Sequence, residues 1–336
     1  MTPLADAESS ARSSFRFPSL FGVGRRLWVV TGKGGTGKTS VAAALAALAA
    51  RAGERVLLAS ADGDGALPAL IEVSEQDASR PEGHVVAPGL TALVVKPEES
   101  LAEYVDLQLH VGGLGKRLIG SRAFGAFLDA APGWRDLVTL GKLWHLEQQR
   151  GRAALDRIVF DAPATGHGLS LLSTPQVVLE VIRMGPLHQR ASAIRDLLVD
   201  ARRSQCILVA LAEELPVRET LELSLALKRI PIARGPVLVN RCEPEPPRSL
   251  AKLRSAVAGL TTRGAPPLAK RAALADALEM RAHRCAQQRR WIDTLGRELA
   301  GAPLFRVPDL TDALEGWRGV NRLADALAAS LQGASA

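Results

Sequence analysis

A chain of 336 residues with 47% hydrophobic residues can bury a sizeable core, which excludes an intrinsically disordered protein. Aromatics make up only 4%, which argues against a nucleic-acid reader that stacks bases, and no run of about 18 apolar residues is present to cross a membrane. Of the net charge of +7, most sits in residues 241–298, where twelve Lys/Arg face six Asp/Glu; this reads as solvated Arg-rich helices or as a stretch that meets phosphate or anionic lipid.

In chain order, residues 1–26 are polar at the start and read as a disordered leader. Its Phe15, Phe17, Leu20 and Phe21 are expected to stay disordered or dock on the domain that follows. Residues 27–31 (LWVVT) form a short apolar run that reads as a buried strand. Residues 40–52 are Ala/Leu-rich and read as a helix, closed by Gly53. Residues 55–60 (RVLLAS) are the next strand, so a βαβ unit with parallel strands is expected. Further strands are read at 90–95, 157–160, 205–211, 235–240 and 304–307, with helical patterning between them. Residues 249–300 read as helices split at Gly264–Pro267, and 310–331 as a last helix. The alternation implies an α/β fold: a doubly wound, mostly parallel sheet, with a helical lobe inserted near residues 100–150 and 176–200. No internal repeat is visible, so residues 27–331 read as a single nucleotide-binding domain.

Between the first strand and helix lies Gly32-Lys33-Gly34-Gly35-Thr36-Gly37-Lys38-Thr39, followed by Ser40. It satisfies the phosphate-loop pattern GxxxxGK[ST], the Walker A motif of P-loop NTPases. Glycines let backbone N–H groups turn inward around phosphate oxygens, and the helix that follows points its positive end at the same charge. Lys38 supplies a point charge at the β/γ-phosphates, and the Thr39 hydroxyl is placed to ligate Mg²⁺. ATP and Mg²⁺ are therefore the expected ligands. Lys33 is an extra lysine inside the loop. It cannot easily reach its own γ-phosphate beside Lys38, but it can reach across a two-fold interface to a partner's nucleotide, as an arginine finger does.

This loop, KGGTGKT, resembles that of the ParA/MinD/ArsA class of dimerising ATPases. The resemblance narrows to the ArsA branch, which includes arsenite-pump ATPases and the Get-pathway carriers of tail-anchored membrane proteins. Residues 161–172 (DAPATGHGLSLL) resemble that branch's second switch. Ala131-Pro132-Gly133 and Leu140-Gly141-Lys142-Leu143 resemble the helical segment before it, residues 237–241 (VLVNR) its adenine strand, and residues 307–319 its C-terminal adenine-side loop and helix. The resemblance implies catalytic roles for Lys33, Lys38 and Asp62, with Asp62 orienting the attacking water. It implies a Mg²⁺ role for Asp161 with Thr39, adenine contacts from Asn240, Pro308 and Asp309, and γ-phosphate sensing by Thr165, Gly166 and His167. It also implies a cytoplasmic homodimer that hydrolyses ATP and handles a membrane-protein client or membrane partner.

Departures from the family pattern are clear. Gly63-Asp64-Gly65 follows Asp62 where the family shows Pro-Ala-His, a more mobile turn with a competing carboxylate. Cys206, Cys242 and Cys285 are scattered, so neither bound zinc nor an arsenite site is expected. Two rival readings remain: a MinD/ParA-like positioning ATPase, and a nucleotide-dependent scaffold that barely hydrolyses. The first lacks its basic amphipathic C-terminal helix, because Asp312, Glu315 and Asp325 interrupt residues 310–331.

Overall fold

The computed structural model describes residues 17, 21, 24–61, 65–109, 133–230, 232–244, 255, 268–299, 301–310 and 316–333. Asp62, Gly63, Asp64, Ala131, Pro132, residues 110–130 and the Gly264–Pro267 breaker lie outside them. Eight strands form one sheet: β1 (Leu27–Gly32), β2 (Val56–Ala61), β3 (His84–Ala87), β4 (Leu90–Val95), β5 (Arg157–Asp161), β6 (Ser204–Leu211), β7 (Arg234–Cys242) and β8 (Leu304–Pro308). Their order is β3-β4-β2-β5-β1-β6-β7-β8, and every pairing is parallel except β3–β4.

The described helices are α1 (Lys38–Arg51), α2 (Ala66–Leu70), α3 (Glu75–Ala78), α4 (Pro97–Leu109), α5 (Trp134–Gln148), α6 (Thr165–Val181), α7 (Pro186–Val199), α8 (Glu214–Leu227), α9 (Leu268–Glu298) and α10 (Gly316–Gly333). They cover both sheet faces. On one, α1 lies between the sheet and α10, so Val41 through Ala49 are all buried; Arg51 reaches Asp325 of α10 at 2.7 Å. On the other, Leu137, Leu140 and Leu143 of α5 join Leu171 and Leu172 of α6 and Ile194, Leu197 and Leu198 of α7. The central strands are buried from end to end, which is why they read as unbroken apolar runs.

Two features differ from expectation. First, β3 adds an antiparallel edge strand. It has four residues, of which Val85 is exposed and the others are half-buried, and it turns back through Gly89 (φ 77°), so nothing in its composition marked it out. Second, of the two outcomes expected for the leader's aromatics, disorder or docking on the domain, docking is what Phe17 and Phe21 show, so a wholly disordered stretch to residue 26 is not what is found. Phe21 is buried, its carbonyl accepts from Gln205 Nε2 at 2.8 Å, and its ring packs 5.6 Å from Phe305. Phe17 stacks edge-on to Trp28 at 4.9 Å, and Arg25 donates to Gln205 Oε1 at 2.6 Å. Those aromatics cover an indole that would otherwise sit at the sheet surface.

No described helix is long and apolar enough to cross a membrane. The described part of the expected helical lobe comprises α4, α5, α6 and α7, with α5 and α7 laid against the sheet.

Candidate functional site

The chain changes direction across the sheet beside β1: from β1 it goes to β2 and on to β4 on one side, returns to β5 next to β1, then crosses to β6, β7 and β8 on the other. In open α/β sheets ligands bind at the carboxyl ends of the strands flanking such a point. The Gly32–Thr39 loop leaves β1 there. Gly32 adopts φ 155° opposite Val209 of β6, and a Cβ on it would stand 2.2 Å from the Val209 carbonyl oxygen. Gly35 (φ 81°) and Gly37 (φ 85°) turn the loop into α1, and Gly34 and Gly35 are exposed. Gly37 also sits against the Asn240 amide, where a Cβ would be 2.4 Å from Nδ2.

The loop is braced from inside. Thr36, 1% exposed, donates from Oγ1 to the Lys33 carbonyl at 2.9 Å, and Lys38 Nζ donates to the same oxygen at 3.2 Å. Asn240 Nδ2 donates to the Thr36 carbonyl at 2.9 Å. Asn240 therefore ties the end of β7 to the loop, a bracing contact in addition to the adenine role expected of it. Pro308 ends β8 opposite Cys242, and Asp309 N donates to the Cys242 carbonyl at 2.7 Å, so both half-buried residues flank the end of β7.

On the other side of β1, Asp161 closes β5 and is buried. Its Oδ2 accepts from Thr39 Oγ1 at 2.6 Å. A hydroxyl and a carboxylate held this close form a hard-oxygen donor pair suited to Mg²⁺. Ser40, in the first turn of α1, is half-buried. β2, the neighbour of β5, runs to Ala61; Asp62 follows it, outside the described residues.

The segment after Asp161 packs back on β1. Thr31 Oγ1 donates to the Pro163 carbonyl at 3.2 Å, and a Cβ on Gly168 would stand 2.6 Å from that carbonyl oxygen. Thr165 opens α6, and its Oγ1 is buried with no hydrogen-bond partner among the described residues. Farther along α6, Thr174 Oγ1 donates to Asp136 Oδ2 of α5 at 3.3 Å. Burial pushes the Asp136 carboxyl above the usual range, while Thr174 and the nearby His167 charge pull it down. This α5–α6 joint was missed in the sequence, because its partners are 38 residues apart on faces that read only as apolar stripes.

Lys33 is half-exposed and does not turn toward its own loop. Its Nζ pairs with Glu219 Oε1 of α8 at 2.5 Å. The three cysteines are buried; burial pushes the Cys206 thiol up to about 12 and is the main cause of the rise of Cys242 to about 11. No group of three or more potential metal-ligating His, Cys, Asp or Glu side chains occurs among the described residues.

Comparison with known proteins matches this geometry. The family profile described as anion-transporting ATPase covers residues 25–190, from the strand before the loop to the helix after the second switch. The ATPase BagA of Mycobacterium tuberculosis is 35% identical over 272 residues, spanning 76% of this chain and 79% of its own length. The ATPase GET3B of Arabidopsis thaliana is 26% identical, over 66% of each chain. The arsenical pump-driving ATPase of Escherichia coli is 26% identical over 64% of this chain but only 39% of its own length. With the loop, the Thr39–Asp161 pair and the returning Pro163–Gly168 segment in one crevice, and a relative matched over most of both chains, the protein belongs to the ArsA-type family of anion-transporting ATPases.

Proposed function

We propose that this protein hydrolyses ATP to ADP and phosphate as a homodimer, with each site completed by the other subunit. The observation that carries the reading is the 2.6 Å contact between Thr39 and Asp161 at the mouth of the phosphate loop. Thr39 and Asp161 would hold Mg²⁺ there, whose charge offsets that of the β- and γ-phosphate oxygens. The loop N–H groups and Lys38 bind and orient the triphosphate. Asn240, Pro308 and Asp309 line the adenine side. Asp62 orients the attacking water, and Lys33 enters the partner's site to neutralise charge on the transferred phosphoryl.

Mixing subunits tests the shared site. Lys33→Ala and Asp62→Asn chains should each be nearly inactive alone. A heterodimer of the two regains one intact site, built from Lys33 of one chain and Asp62 of the other. The mixture should therefore recover a substantial fraction of native turnover. Proven heterodimers with no turnover above either variant would defeat the trans assignment.

Hydrolysis is proposed to move α4–α7 around an apolar client or membrane partner. Support comes from the surface of those helices. Val177 and Val181 of α6, Met184 in the connection that follows and Leu187 of α7 are exposed apolar side chains. Beside them a cavity of about 470 Å³ opens between α4, α5 and α7, lined by Leu101, Leu137, Val138, Trp144 and Leu187. Exposed apolar side chains and an apolar-lined cavity that Leu187 joins support an interaction site on these helices. Hydrogen exchange over α5 and α7 should differ between ADP and trapped-ATP states. Identical protection in both would leave the scaffold reading, in which nucleotide binding drives no rearrangement.

A further inference from the structure

Two lysines leave the phosphate loop in different directions. Lys38 Nζ is turned inward, onto the Lys33 carbonyl at 3.2 Å. Lys33 Nζ is turned outward, onto Glu219 Oε1 at 2.5 Å. The backbone origin of Lys33 is fixed, because Gly32 is clamped against Val209 of β6. Glu219 is fixed as well. It lies one turn and a half into α8, the helix that follows β6, and its neighbours Val217 and Thr220 are buried against the core.

A carboxylate beside a phosphate-binding loop works against the loop's purpose, since it repels the anion that the glycines and Lys38 attract. Nor is it there for stability: the Lys33 side chain is 44% exposed, and ion pairs this open to solvent contribute little. The carboxylate does match the direction Lys33 must take. Unrestrained, the flexible four-carbon stem of a half-exposed lysine samples many directions.

We propose that Glu219 is the positioning residue for Lys33: it fixes the direction of the side chain and presents the ammonium on the α8 side of the site, outward, for the second subunit. The inference rests on the shared-site reading of Lys33 given above. Glu219 touches no reacting atom; it acts through Lys33.

A double-mutant cycle in steady-state ATPase kinetics tests it. Glu219→Gln keeps the shape but not the charge, so Lys33 loses its fixed direction. The expected result is a loss of kcat of about tenfold to a hundredfold, the scale of a misplaced catalytic group, with KM for ATP unchanged or lower. Glu219→Asp should restore part of kcat, because the charge is kept. In a Lys33→Ala background, Glu219→Gln should change neither parameter. Three results would overturn the proposal: a Glu219→Gln enzyme with native kcat, an equal loss of kcat in the Lys33→Ala background, or no recovery in Glu219→Asp. Should Glu219→Gln fail to fold by circular dichroism, the cycle is run with Glu219→Asp, whose smaller kcat defect must likewise vanish without Lys33. A native chain with no turnover at all would instead remove the ATPase reading itself, so the two failures are distinct.

Discussion

Lys38→Ala should bind ATP about ten- to a hundredfold more weakly than the native chain, read by calorimetric titration. A charge-assisted contact to phosphate is worth about 1.5–3 kcal/mol, and each 1.4 kcal/mol is about tenfold in affinity. The fold should be little affected. The Lys33 carbonyl that accepts from the ammonium also accepts from Thr36 Oγ1 and so keeps a donor when Lys38 is truncated. The variant therefore separates binding from folding. Unchanged ATP affinity would show that the Gly32–Thr39 loop is not where the triphosphate sits.

Gly32→Ala should damage the fold and the site together. The new Cβ would stand 2.2 Å from the Val209 carbonyl oxygen and 3.3 Å from the Val209 nitrogen, and the obstacle is strand backbone that no rotamer change can move. The residue also sits at φ 155°, where a side chain is strained. The ends of β1 and β6 must part to admit the methyl, at about 2–5 kcal/mol for overpacking and strain combined. Thermal denaturation should show a Tm lowered by on the order of 5–10 °C. ATP affinity should fall too, because Lys33 and Gly34 follow directly. Native Tm and affinity would mean that the β1–β6 contact is looser than described. Gly34→Ala is the control: its Cβ meets nothing within 4 Å, so stability should hold.

Much of this architecture is legible in the amino-acid order. Strands buried on both faces need apolar side chains at every position, so β1, β2, β4 and β6 stand out as uninterrupted runs bounded by polar residues. The loop is legible because a tight anion cradle tolerates few residue types. Asp161 is legible as the carboxylate that ends an apolar strand, and its 2.6 Å contact with Thr39 places both in one crevice. Sequence does not carry pairings that depend on how elements dock. Lys33 and Glu219 are 186 residues apart, and Glu219 reads as an ordinary position on an amphipathic helix. Asn240 and Thr36 are 204 residues apart, and only the β7 register brings the amide under the loop. The docking of Phe21 is likewise invisible locally, because it depends on the Trp28 and Phe305 surface formed by distant strands.

Hydrolysis of ATP at this loop, with magnesium held by Thr39 and Asp161, is the proposal on which the other roles depend. Phosphate release by the native chain, followed over a range of protein concentrations, tests it most directly. The predicted result is magnesium-dependent turnover whose rate per subunit rises with protein concentration, as a shared site requires, and which Lys38→Ala abolishes. Release no greater than that of Lys38→Ala at every concentration, from a chain that still binds ATP, would contradict it.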